Sequence, residues 1–135
     1  MSPIMIVDNE YITVQYLPDK KFIYHTVHKP IGDEPLKAAL NAGTDALRHY
    51  GACKWLSDDR NNGPLSKEMV EWGLQDWDPR TVSYGWKYWA NVVPVDVASA
   101  GTLMPVMEIL QELGLRMMVF TTIEDAIRWL DSLPS

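Results

Sequence analysis

Cysteine is almost absent from this sequence of 135 residues. The single Cys53 excludes an internal disulfide and any zinc site built from several thiolates. It lies in an apolar run, where a buried and unreactive thiol is the usual outcome. The sequence therefore predicts a reducing compartment, and we expect a cytoplasmic protein that holds no metal and no other cofactor.

Long apolar runs and basic clusters are also missing. No stretch approaches the roughly 20 apolar residues that cross a membrane. The first residues, MSPIMIVDNEY, have neither a basic start nor a long apolar core, so we expect no signal or transit peptide. The 12 Lys and Arg residues are scattered among 18 Asp and Glu residues, which gives a net charge of -6. Nucleic acid is not an expected partner, because binding to the phosphate backbone needs a basic surface.

Tryptophan and tyrosine, in contrast, are abundant, with six residues of each. A large aromatic side chain buries on the order of 150–250 Å², so the tryptophans alone represent roughly 1,200 Å². A monomer exposes apolar patches of only a few hundred Å². Most of these rings must therefore lie in the core, in a pocket or in an interface with another chain.

The hydrophobic pattern changes repeatedly between that of a strand and that of a helix. Alternating residues over 11–17 and 21–28, separated by the turn Pro18-Asp19-Lys20, predict an antiparallel hairpin. Apolar residues spaced by three and four predict a first helix over 34–50, which Gly51 ends. Further strands are predicted over 52–56, 85–93 and 115–121. Further helices are predicted from the N-cap Ser66 to the pair Asp78-Pro79, over 102–113, and from Thr122, which opens a sequence that resembles a capping box.

This order predicts an α/β fold for a single domain of residues 1–135. Strands that alternate with helices pair in parallel through right-handed crossovers, and the hairpin adds an antiparallel edge. We therefore expect a five-stranded, mainly parallel or mixed sheet with about four helices. Ligand sites of such sheets lie beyond the carboxyl ends of the strands, which is where the loop after the strand over 52–56 begins.

That loop, within WLSDDRNNGPLSKEMVEW, is the first candidate site. Two aspartates and an arginine beside the positive end of the second helix outline an anion or phosphoryl site, or a contact for another protein. Turns select the same residue types, and in that interpretation Arg60 pairs with Asp59 while Asp58 and Asn61 cap turns. The candidate interaction or ligand residues are Asp58, Asp59, Arg60, Asn61 and Ser66.

The sequence contains no strong catalytic motif. His25 and His28 are three apart on one strand, so they point to opposite faces and cannot share a metal ion. A general base at His25, oriented by Asp58 or Asp59, is an open alternative that the linear spacing does not favour. We expect no catalytic nucleophile. Cys53 has no neighbouring base, Ser57 lacks the Gly-x-Ser-x-Gly turn of a hydrolase nucleophile, and Ser66 has the position of a helix cap.

The tryptophans form the second candidate site. Trp72 and Trp77 are five apart on a predicted helix and diverge by more than a quarter turn, so at least one of them leaves the core-facing stripe. Trp86 and Trp89 occupy opposite faces of one predicted strand. Rings on both sheet faces and on a helix can line an apolar pocket or form the contact of a dimer. The residues of this aromatic pocket or interface are Trp55, Trp72, Trp77, Trp86 and Trp89.

The passage CKWLSDDRNNGPLSKEMVEW and the closing FTTIEDAIRWL resemble the STAS-like fold of anti-sigma-factor antagonists, in the bacterial branch that ends in a Phe, acidic, Ala, Trp-Leu signature. The resemblance covers nearly the whole chain and implies a cytoplasmic bacterial signalling or interaction domain rather than an enzyme. The Asp-Ser-Ser/Thr-Gly phosphorylation motif of that family has no counterpart between Asp58 and Ser66. The signature residues are Phe120, Glu124, Ala126, Trp129 and Leu130.

Three functions are open from the sequence. The first is a non-catalytic regulatory or protein-interaction domain that associates through its aromatic residues, as a homodimer or with another protein. The second is a binding protein for a small apolar ligand, acyl- or lipid-like, in a pocket framed by Trp55, Trp72, Trp86 and Trp89. The third is a small enzyme that uses His25 with an aspartate of the loop, which requires a strongly perturbed carboxylate in a cleft.

Overall fold

Six strands lie side by side in chain order and form one sheet. The computed structural model describes residues 1–135. β1, β2 and β3 pair antiparallel, whereas β3, β4, β5 and β6 pair parallel. This confirms the predicted mixed α/β sheet and the parallel pairing of the strand that follows Cys53. The strands are β1 Ile4–Asp8, β2 Ile12–Leu17, β3 Phe22–Val27, β4 Lys54–Asp58, β5 Tyr88–Val92 and β6 Arg116–Phe120.

The expected count of five strands is wrong, because β1 adds a sixth strand at the antiparallel edge. The residues of β1, IMIVD, are exposed or half-buried throughout, and the pairing with β2 shifts between Met5 and Val7. An edge strand has one neighbour and buries little of either face. It therefore lacks the alternation of apolar and polar residues that reveals a half-buried strand in a sequence.

Helical segments fill the connections between the parallel strands, and a last helix follows β6, so the chain has six α-helices and a π-helical turn rather than about four helices. Ser66 and Thr122 cap their helices as predicted, because each hydroxyl accepts a hydrogen bond from the backbone N–H three residues later, at 3.0 Å and 3.2 Å. Gly51 ends the first helix in the left-handed conformation. The segments are α1 Asp33–Tyr50, α2 Lys67–Trp72, a π-helical turn Gly73–Trp77, α3 Asp78–Ser83, α4 Val95–Ala100, α5 Met104–Glu112 and α6 Ile123–Asp131.

The sequence predicted that the pair Asp78-Pro79 ends the second helical region, and this prediction is wrong. The chain runs from α2 through the π turn into α3 without a break. The Asp78 N–H bonds to the carbonyl of Gly73, five residues earlier. A helix that returns from this spacing to the α spacing leaves one carbonyl without a donor, so Pro79, which has no N–H, fits there. A further helix, α4, precedes the one predicted over 102–113, and Gly101 ends α4 with φ of 67°.

Helices cover both faces of the sheet. On one face the Trp55 ring of β4 packs against Trp77 of the π turn and approaches Gly43 of α1 so closely that no Cβ fits there. On the other face α6 packs Leu130 into a smaller cluster around Leu56. Right-handed crossovers between strands that follow one another in one direction all fall on the same face. The connections after β3, β4 and β5 therefore meet above one rim of the sheet, formed by the carboxyl ends of these strands.

Candidate functional site

A row of polar side chains crosses three parallel strands near their carboxyl ends. His25 of β3 is paired in register with Ser57 of β4, and Ser57 is paired with Asn91 of β5. All three residues are buried. Neighbouring strands lie about 4.7–4.9 Å apart, so the three side chains form one group on the face that carries α1. This is the rim of the sheet at which ligand sites of α/β folds occur.

Both nitrogens of the His25 ring have partners. The indole Nε1–H of Trp55 donates to Nδ1 at 3.0 Å, and the Ser57 hydroxyl lies 3.4 Å from the same nitrogen. Nε2 lies 2.8 Å from Oδ1 of Asp59. An indole nitrogen is only a donor, so Nδ1 is the acceptor and the ring proton resides on Nε2, which donates to the carboxylate.

The sequence left open that His25 is a general base oriented by Asp58 or Asp59. The tautomer in the structure does not fit that role, because His25 donates to the carboxylate. The structure brings His25 to Asp59 and not to Asp58, whose carboxylate bonds to Arg60. A ring with both nitrogens engaged has no free lone pair with which to accept a substrate proton. The group that can accept one is Asp59, whose Oδ2 makes no hydrogen bond and whose side chain is 27% exposed. The Nε2–H of His25 holds this carboxylate in place through its hydrogen bond to Oδ1.

Five of the six tryptophans pack into one cluster inside the domain. The Trp77 ring lies at its centre, and the centroids of the other four lie between 5.1 Å and 6.2 Å from it. Trp55, Trp77 and Trp86 are buried, and Trp72 and Trp89 are half-buried. The structure therefore brings all five predicted aromatic residues together, three of them within the core.

Two predictions about the orientation of these rings are wrong. Trp86 precedes β5, which begins at Tyr88, so Trp86 and Trp89 do not lie on opposite faces and their centroids are 5.0 Å apart. Trp72 and Trp77 do not diverge, because their rings are stacked with an angle of 11° between the planes. Five residues rotate an α-helix by roughly 140°. The π turn between the two rings bonds residues five apart and brings them onto one side.

A cavity of ≈ 630 Å³ opens between the tryptophan cluster, the loop after β4 and the helices that follow β4 and β5. Such a volume suits a drug-sized ligand. Trp55 and Trp86, which the sequence placed in the frame of the pocket, lie in the core and do not line it. The lining includes the rings of Trp72, Trp77 and Trp89 and the polar groups of Asp59, Asp78 and Asn91.

Two buried acceptor atoms at this cavity have no hydrogen-bond partner, Oδ1 of Asp78 and Oδ1 of Asn91. Asp78 is only 3% exposed, and burial raises the pKa of its carboxyl group from the ordinary 3.8 to about 7. An unpaired buried carboxylate lowers stability, and a perturbed one in a cleft is a signal of function. Asp78 does not stand out in the sequence as a site residue, because an Asp-Pro pair is typical of the end of a helix.

The anion site expected in the loop is not supported by the position of its arginine. Arg60 pairs with Asp58 rather than with Asp59, through two hydrogen bonds of 2.9 Å from Nε and Nη2. This bidentate pair neutralises the guanidinium group that was expected to hold a ligand. Asn61 is exposed and its side chain makes no hydrogen bond. Of the four residues from Asp58 to Asn61, only Asp59 joins the polar row at the cavity.

The remainder of the loop is fastened to the start of α1. Oδ1 of Asn62 accepts a hydrogen bond from the Ile31 N–H at 3.3 Å, and the Ser66 hydroxyl donates to Oδ2 of Asp33 at 2.7 Å. Ser66 thus acts as a helix cap and as a clamp between two helices. A phosphate group on Ser66 would meet the Asp33 carboxylate and would be repelled by it.

Comparisons of the chain with protein-family models, with curated proteins and with solved structures found no match. No three His, Cys, Asp or Glu side chains are grouped in a way that could hold a metal ion. None of the helices combines the length and the apolar character needed to span a membrane. The STAS-like resemblance stays a prediction, and the geometry of the cavity is the basis for an inference about function.

Proposed function

We propose that the protein binds a small, largely apolar molecule in the cavity at the carboxyl rim of the sheet. The observation that carries this proposal is a cavity of ≈ 630 Å³ whose wall combines indole rings with buried acceptors that have no partner. Small-molecule sites are concave and mostly apolar, with a few polar groups that fix orientation. The indole wall supplies affinity by removing apolar area from water, and the acceptors supply specificity.

The wall is held in place by hydrogen bonds to the core. The indole N–H of Trp77 donates to Oγ1 of Thr44 at 2.8 Å, and Thr44 is bonded to Thr81 at 2.9 Å in a buried pair. The indole N–H of Trp89 donates to the Ser57 hydroxyl at 2.8 Å. Side chains that are already ordered lose little conformational entropy when a ligand binds, which favours affinity.

The same packing weakens the case for self-association through aromatic residues. A hot spot of a dimer must reach its partner, but Trp55, Trp77 and Trp86 are buried within the domain, and Trp72 and Trp89 border the cavity. A regulatory domain that acts as a homodimer or with a protein partner stays a prediction supported by the STAS-like resemblance. Analytical ultracentrifugation at micromolar concentration tests it, and a strict monomer would remove the homodimer.

A matched pair of variants on α4 tests ligand binding. Val97 is half-buried and lines the cavity, whereas Val95 is 67% exposed and lies outside it. Val97→Trp should fill the cavity, and Val95→Trp adds the same ring to solvent. A library of small aromatic and acyl compounds is screened by ligand-detected NMR against the parent protein and both variants.

We expect compounds that bind the parent protein and Val95→Trp but not Val97→Trp, while the amide spectrum shows that both variants are folded. The proposal fails if no compound binds the parent protein. It also fails if the compounds that bind it bind Val97→Trp equally well. Native mass spectrometry of the purified protein adds an independent search for a molecule that accompanies it.

A further inference from the structure

We infer that the ligand of this cavity is an amine with an apolar body, whose ammonium group pairs with the carboxylate of Asp78. This inference rests on the proposed function and names the chemical class of the ligand. It is carried by three independent observations, namely the charge of the cavity lining, the aromatic wall and the two acceptors without a partner.

The charged groups that line the cavity are mainly acidic. Asp59, Asp78 and Asp96 contribute carboxylates, and the only lysine or arginine in the lining is Arg60. The guanidinium group of Arg60 is already neutralised by its bidentate bonds to Asp58. The lining therefore attracts a cation and repels an anion, in agreement with the net charge of -6 of the whole chain.

Three hydrogen-bond donors at the cavity are already engaged inside the protein. The Nε2–H of His25 bonds to Asp59, and the indole groups of Trp77 and Trp89 donate to hydroxyl oxygens in the core. Among the fully buried side-chain oxygens and nitrogens, the two without a partner are both acceptors, Oδ1 of Asp78 and Oδ1 of Asn91. A ligand that satisfies such a site must bring hydrogen-bond donors, and an ammonium group brings three of them together with a positive charge.

The aromatic wall favours the same class of ligand. Electron-rich indole faces attract cations more strongly than other aromatic rings do. Trp72 already lies beneath the ammonium group of Lys37 of this chain, at 5.6 Å from the ring centroid. Trp77 precedes Asp78 directly in the chain, so one segment presents an indole ring and a carboxylate to the cavity. The apolar body of the amine packs on the remaining aliphatic and aromatic lining.

Burial of Asp78 also fits a role in pairing with a cation. Desolvation alone raises the pKa of its carboxyl group to about 7, without a contribution from any charged neighbour. A bound ammonium group would replace the lost hydration and favour the ionised form. Binding of an amine should therefore weaken as the pH falls below about 7 and the carboxyl group takes up a proton. His25, Asp59 and Asp96 also line the cavity, so the test must separate them from Asp78.

The test uses three probes with the same apolar body, 4-phenylbutylamine, 4-phenylbutanol and 5-phenylvalerate. Their affinities for the full chain are measured by quenching of tryptophan fluorescence and by calorimetry. The variant is Asp78→Asn, which keeps the shape of the side chain and removes its charge. The control is Asp76→Asn, which changes an exposed carboxylate of the same helical region that does not line the cavity.

We expect the amine to bind roughly tenfold or more tightly than the alcohol, because hydrogen bonds to charged groups are about twice as strong as neutral ones, and the carboxylate to bind least. Asp78→Asn should remove the preference for the amine and its pH dependence, and Asp76→Asn should preserve both. Equal or tighter binding of the alcohol or the carboxylate would overturn this inference and leave the proposed function standing. If Asp78→Asn still prefers the amine, the inference is also overturned. If no probe and no compound of the library binds, the proposed function itself is refuted.

Discussion

The buried carboxylate of Asp78 makes a quantitative prediction about stability. Replacing Asp78 by Asn preserves the size of the side chain and removes the charge that burial disfavours. In the folded protein Asp78 is 3% exposed, and desolvation raises the pKa of its carboxyl group from 3.8 to about 7. The variant should therefore be more stable than the parent protein in neutral or weakly basic solution, even though the site is in the interior.

The sign and size follow from proton linkage. Between the two pKa values the folded state binds more protons at Asp78 than the unfolded state does, so the free energy of unfolding falls as the pH rises. Its contribution is complete below pH 3.8 and is lost as the pH passes the folded pKa of about 7. With about 1.36 kcal/mol per pKa unit, the loss amounts to about 4 kcal/mol. An asparagine side chain does not titrate in this pH range, so the free energy of unfolding of Asp78→Asn lacks this pH-dependent loss.

The assay is urea unfolding of the parent protein, Asp78→Asn and the exposed control Asp76→Asn at about pH 4 and about pH 8. The difference in free energy of unfolding between Asp78→Asn and the parent protein should increase by several kcal/mol from the lower to the higher pH. Asp76→Asn should show no comparable increase. A difference between Asp78→Asn and the parent protein that is constant over this pH range would show that the carboxylate is solvated or paired, and would refute the reasoning.

Two further substitutions test the packing that surrounds the site. Gly43→Ala places a Cβ at 2.4 Å from Cη2 of Trp55. We expect the free energy of unfolding in urea to fall by about 1–3 kcal/mol, despite the better helix propensity of alanine. The control is Gly73→Ala, which should not be destabilised because its Cβ would meet nothing nearer than 3.9 Å. Lys54→Met removes the ammonium group that donates to two carbonyls at the end of α6 at 2.6 Å and 2.8 Å, and we expect a loss of about 2 kcal/mol in the same assay. Unchanged stability of either variant would contradict the corresponding contact.

The order and direction of the main elements could be predicted because they depend on local patterns. The caps at Ser66 and Thr122 and the left-handed stop at Gly51 are signals within a few residues, and the structure confirms all three. Alternation of strand and helix determines parallel pairing through the handedness of crossovers. The loop after β4 was therefore placed at the correct rim of the sheet.

The site itself depends on contacts that no local pattern contains. His25 and Asp59 are 34 residues apart, and their pairing requires the register that aligns β3 with β4. The sequence offered this pair only as one open alternative. It could not show that the indole N–H of Trp55 donates a hydrogen bond to Nδ1 and so keeps the ring proton on Nε2. Which of two adjacent aspartates turns to His25 and which to Arg60 depends on the alternation of side chains across β4.

The π turn is the feature for which sequence reasoning is least equipped, and it explains the two largest errors about the site. A helix with α spacing throughout separates Trp72 from Trp77 and leaves no place for Pro79. The extra residue in the π turn brings the two rings together and leaves room for Pro79. It also places both Trp77 and Asp78 at one cavity. No propensity scale marks such a turn, because π segments are rare and depend on the packing around them.

The π turn and the carboxylate together support a functional interpretation more strongly than either does alone. π turns are rare in helices. A buried aspartate without a partner lowers the stability of the fold, and one substitution to asparagine would remove that cost. Both unfavourable features lie within the six residues from Gly73 to Asp78, and this segment contributes Gly73, Trp77 and Asp78 to the lining of the cavity. Departures from local rules that coincide in one place and at one cavity are typical of sites retained for function. Trp72 and Trp77 lie at the two ends of this turn, so a change that restored a regular helix would separate their rings and dismantle the wall of the proposed binding site.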